Sequence, residues 1–63
     1  MEALDREVAA RLLREGMLKN DLSLKEAAAR IARSVGTVKR ALKGSMGPRT
    51  AYRIRMEFGS AAH

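Results

Sequence analysis

The chain has 63 residues, with 13 Lys/Arg against 7 Asp/Glu and a formal net charge of +6. That length makes one small domain burying about 60% of the surface its unfolded chain exposes, so a lone monomer is marginal and a partner subunit would help. There is no cysteine, which excludes disulfides and cysteine-based zinc sites, and the single histidine, His63, is the last residue. The apolar residues are mostly Ala, Leu, Ile, Val and Met, with Tyr52 and Phe58 the sole aromatics, a mix that favours an all-α fold. No apolar run approaches the roughly 18 residues of a membrane span. The opening MEALDREVAA mixes acids and bases, unlike a secretion signal. A cytoplasmic protein is the expectation.

Charge is unevenly placed. Residues 1–22 hold four Lys/Arg and five Asp/Glu, a net of −1, whereas residues 23–63 hold nine and two, a net of +7. Such a concentration of positive charge is the electrostatic footprint of a nucleic-acid binder.

The first predicted helix runs from Ala3 to Lys19. Leu4, Val8 and Leu12 recur every fourth residue, and Ala9 and Leu13 widen the stripe into one buried face. Asp5 and Glu7 suit the positive end of its dipole. Gly16 weakens its last turn, and Asn20-Asp21 mark a loop. Ser23 and Glu26 then spell an S-x-x-E capping box that opens a second helix, with Leu24, Ala27, Ala28 and Ile31 inward and an end near Ile31 or Ala32. Arg30 faces solvent or pairs with Glu26 at helical spacing.

Ser34 is the expected N-cap of a third helix, with Val38, Ala41 and Leu42 toward the core and Gly44 as its stop. Gly47-Pro48 marks the next turn, and Pro48 suits the first position of a fourth helix. That helix is expected to reach Phe58, with Ala51, Ile54 and Phe58 inward and Gly59 ending it. The plan is a single compact domain over 1–59, all-α with four or five helices, a helix-turn-helix at 23–43 and a disordered tail at 60–63.

Three segments also carry a family likeness: SLKEAAARIA at 23–32, SVGTVKRALKG at 34–44 and TAYRIRMEFG at 50–59. From Leu12 onward the chain resembles the lambda-repressor/Cro-like regulators, the XRE family of helix-turn-helix DNA-binding proteins, over about three quarters of its length. The family commonly has Gly-Val-Ser at the turn, where this chain has Ala32-Arg33-Ser34. Alanine there implies an altered turn or a tolerated left-handed residue. Many members add a fifth helix, and this chain ends before one. The resemblance implies a transcriptional regulator, a repressor that excludes polymerase from a promoter and often controls its own gene. It also implies palindromic operators bound by homodimers, in bacteria or their phages.

The residues themselves support such a partner. An α-helix fits the major groove, where base edges are distinguishable. The expected base-reading set is Ser34, Val35, Gly36, Lys39, Arg40 and Lys43, with Lys39 and Arg40 best suited to guanine. Val35 could equally plug the core. Gly36 would let the helix backbone come close. The expected phosphate contacts are Leu24 and Lys25 at the amino end of the second helix, with Arg33, Thr37, Ser45 and Arg49 around them. Arg53 and Arg55 face solvent or phosphate.

Tyr52 and Met56 lie four apart, off the inward stripe, either as peripheral core or as a homodimer patch. A dimer would place two reading helices about 34–36 Å apart. The four methionines form no stripe. No cofactor, metal or small-molecule site is expected, and the dispersed acids give an enzyme no clear constituents. Two other functions compete: an antitoxin whose main partner is a toxin, and a DNA-targeting module of a recombinase. The first lacks the long extension many antitoxins use, and the starting Met and self-contained plan favour an intact protein over the second. RNA binding ranks lowest, with only two aromatics for stacking.

Overall fold

Local capping residues set most of the helix boundaries in this chain. The computed structural model describes residues 2–59, with side chains from Arg6 onward. Its helices are α1 (Glu2–Lys19), α2 (Leu24–Ile31), α3 (Val35–Leu42) and α4 (Pro48–Ile54), and a π-helical turn over Arg55–Gly59 continues α4. No strand occurs among the described residues. The chain is a small all-α domain of four helices. No described helix is long and apolar enough to cross a membrane. The tail expected at 60–63 lies outside the described residues, as do the side chains of Leu4 and Asp5.

The capping box before α2 forms as its spacing demands: the Glu26 amide donates to Ser23 Oγ at 3.1 Å, and the Ser23 amide donates to Glu26 Oε1 at 2.8 Å. Ser34 Oγ accepts the Thr37 amide at 3.2 Å and so caps α3. Pro48 opens α4 behind Gly47, which offers no side-chain cap.

The carboxyl ends of α1, α2 and α3 share one solution. At each, a residue with positive φ lets two amides turn back onto the last carbonyls, the Schellman arrangement. After α1 the Leu22 amide reaches the Met17 carbonyl at 2.8 Å and the Asp21 amide that of Leu18 at 3.3 Å. After α2, Arg33 reaches Ala28 at 2.9 Å and Ala32 reaches Ala29 at 3.2 Å. After α3, Ser45 reaches Arg40 at 3.0 Å and Gly44 reaches Ala41 at 2.9 Å. The turning residues are Asp21 (φ 54°), Ala32 (φ 57°) and Gly44 (φ 88°), of which only the last is glycine.

Helix α1 packs against α3, α4 and the π-helical turn, and α2 packs against α3 and α4. Ala9, Leu13, Ala27, Ala28, Ile31, Val38, Ala41, Ala51 and Ile54 form the buried cluster between them. Leu13, Ile31, Val38 and Ile54 are its largest fully buried side chains, each contributing about 1.5–3 kcal/mol. Alanines supply the rest and let the short helices approach closely.

Two expectations about this packing need correction. The inward face of α1 is Ala9, Leu13 and Gly16, with Leu12 only half-buried; Val8 is 44% exposed. The face is set by what lies on it. A Cβ at Gly16 would stand 2.8 Å from Phe58 Cγ and 2.9 Å from Cε1, so the Phe58 ring occupies the space a side chain would need. α4 also does not stay α-helical to Phe58: regular geometry stops at Ile54, and Phe58 is half-buried at the core's edge.

Candidate nucleic-acid interface

Successive residues of an α-helix are about 100° apart, so α3 has two distinct sides. Val38 and Ala41 are fully buried, and Val35 and Leu42 pack half-buried on the core's margin. Gly36, Lys39, Arg40 and Lys43 lie opposite, the three cations exposed. Val35, left open between the groove and the core, packs against the core. Ser34 is committed first to its cap, and its Oγ lies 3.0 Å from Thr37 Oγ1. A Cβ on Gly36 would meet nothing closer than Arg40 Nη1 at 3.6 Å, an ordinary contact. Nothing within the fold therefore requires glycine at 36.

At the start of α2 the capping box uses the amides of Ser23 and Glu26. The amides of Leu24 and Lys25 have no backbone acceptor and point out of the first turn. Lys25 is exposed, and Leu24 is half-buried against the core. Ser45 and Arg49 are exposed on the segment linking α3 to α4 and in the first turn of α4.

Arg33 is more constrained than a turn residue exposed for phosphate. It is half-buried; its Nε donates to Thr50 Oγ1 at 3.3 Å and its Nη1 to the Ala32 carbonyl at 3.0 Å. The bond gives the buried Thr50 hydroxyl a donor. Arg30 pairs not with Glu26, whose carboxylate is held by the capping box, but with Glu57 across 3.3 Å. Arg14 of α1 donates to the Leu42 carbonyl at 3.3 Å, a cation at the negative end of α3.

The electrostatics are one-sided. Between Glu26 and Glu57 the sequence contains no acidic residue. Arg30 pairs with Glu57, whereas Lys25, Lys39, Arg40, Lys43 and Arg49 make no ion pair and carry charge that no carboxylate compensates. Neither α3 nor α4 has an acid in its first turn. Tyr52 and Met56 belong to no peripheral core: they are 64% and 55% exposed. They line an open cleft of about 560 Å³ with Arg30, Arg33, Arg49 and Arg53. Comparisons with protein-family models, curated proteins and solved structures found no match. Cations on a rigid helix, beside unpartnered amides, suit a polyanion.

Of these features, the caps and the basic face of α3 are visible in sequence. The Arg33–Thr50 and Arg30–Glu57 bonds are not, because their partners lie 17 and 27 residues away. The absence of acids from 27–56 was a legible sign that the uncompensated surface extends to α4.

Proposed function

We propose that the chain is a sequence-specific double-stranded DNA-binding regulator that lays α3 in the major groove. The observation that carries this reading is the side of α3 formed by Gly36, Lys39, Arg40 and Lys43: uncompensated, acid-free, and held rigidly from behind by Val38 and Ala41. Lys39 and Arg40 in the last turn also favour the helix dipole. Lys43, the C-cap residue, lies at the same negative end, whereas neither the dipole nor the fold accounts for a glycine at 36.

In this reading Lys39 and Arg40 donate to guanine O6 and N7, and Lys43 extends the reading surface. Gly36 admits the groove wall, Val35 braces the helix while its edge meets a base, and Ser34 holds the start of the helix near the bases. Phosphates are taken by the Leu24 and Lys25 amides, the Lys25 ammonium, Thr37, Ser45, Arg49 and any Arg33 N–H not used by Thr50. The resemblance to lambda-repressor/Cro-like regulators supports the same assignment and adds its biology. On that basis the chain acts in the cytoplasm of a bacterium or an infected cell, as a homodimeric repressor on a palindromic operator.

The deciding experiment is selection of binding sites from random duplex DNA. An inverted-repeat consensus is the expected result, and enrichment of no consensus would refute sequence-specific reading. On the selected site, Arg40→Ala should lose about 1–3 kcal/mol of discrimination at one base position while the circular dichroism spectrum is retained. Unchanged selectivity in that variant would remove Arg40 from the reading set.

A further inference from the structure

The cleft between the carboxyl end of α2 and the outer face of α4 is built unlike a solvated surface. Arg49 and Arg53 stand four residues apart on one helix, a like-charge spacing that weakens it. Arg30 and Arg33 add two cations on the opposite wall, and the cleft's one acid, Glu57, is engaged by Arg30. Neither Arg49 nor Arg53 has a hydrogen bond or ion pair. Between them Tyr52 presents its ring with 64% exposure, and Met56 lies in the following turn. The packing of α4 does not call for Arg49, Tyr52 or Arg53, because Thr50, Ala51 and Ile54 already supply its buried side.

We infer that this cleft binds an acidic, amphipathic segment of a partner protein. Carboxylates on such a segment would meet the guanidinium forks, which pair well with planar anions. An apolar residue between them would cover Tyr52 and Met56. The alternatives fit less well. A second copy related by a two-fold axis would set the same patch against itself, bringing arginine to arginine. A duplex backbone would satisfy the cations but leave the tyrosine ring and the methionine against sugar and phosphate. Because Arg33 and Arg49 also belong to the proposed phosphate set, the acidic segment and DNA exclude one another, an exclusion that rests on the DNA reading.

The test uses a short synthetic peptide with Glu and Asp on one helical face and Leu on the other, fluorescently labelled, and its Gln/Asn counterpart with the same leucines. Anisotropy should show saturable binding of the acidic peptide and about tenfold weaker binding of the neutral one. Tyr52→Ala and Arg53→Gln should each weaken the acidic peptide about tenfold. Lys39→Ala should leave it unchanged. Tyr52 is the only tyrosine in a chain without tryptophan, so intrinsic fluorescence of the wild type must also change on binding. Equal affinity for both peptides, or no effect of Tyr52→Ala, overturns the assignment. Loss of duplex binding without loss of peptide binding in the two cleft variants gives the cleft to DNA instead. A shift from dimer to monomer in sedimentation gives it to a second copy. Peptide binding that the selected duplex fails to displace retains the docking site and overturns the exclusion.

Discussion

Ala32 turns the chain between α2 and α3 at φ 57°, ψ 45°, where a Cβ crowds the following carbonyl at a cost of about 1–2 kcal/mol. The two hydrogen bonds that close the turn are those a glycine would make, so a left-handed alanine is tolerated without altering the turn. Ala32→Gly should therefore stabilise the domain by about 0.5–1 kcal/mol, the relief of strain being partly offset by a more flexible unfolded chain. The midpoint of urea unfolding would rise at constant slope; a fall would mean that the methyl group makes contacts outweighing the strain. At this scale the sequence is easily read where residue and partner are neighbours, as in Ser23 and Glu26. It is opaque where they are distant: nothing near Arg33 announces that its guanidinium is engaged by Thr50.

For whole helices the legible part was their number, order and, apart from the carboxyl end of α4, their limits, since S-x-x-E, Ser34, Gly44 and Gly47-Pro48 are local signals. The face of α1 was harder. Leu4, Val8 and Leu12 make one stripe and Ala9 with Leu13 another, about 100° away, and periodicity alone does not rank them. The glycine ranks them: positions 9, 13 and 16 share a side, and Gly16 is where Phe58 comes to rest. A helix-weakening glycine three residues after a leucine was thus a mark of close approach between elements. Gly16→Ala gains helix propensity but drives a methyl group into that ring. Net destabilisation of about 1–3 kcal/mol is expected, read from thermal unfolding. A variant at least as stable as the wild type would show that the Phe58 ring moves aside at little cost.

Over the entire molecule the relevant quantity is charge without compensation. A net of +6 is carried largely by residues after Ser23, and the described structure neutralises little of it internally. Affinity for duplex DNA should then fall steeply with salt. Lys25→Ala and Arg49→Ala should each weaken binding alike on all sequences, and each reduce the slope of log K against log salt by about 0.9. A slope equal to that of the wild type would exclude the residue from the phosphate contacts.

The Arg33–Thr50 bond fastens the bend of the helix-turn-helix to α4, and Arg14 fastens α1 to the far end of α3. With both ends tied to neighbouring helices, α3 as the proposed reading helix would enter a groove already in its bound shape. Encounter should accordingly be as fast as charge-steered diffusion allows, without a slow rearrangement phase in stopped-flow mixing.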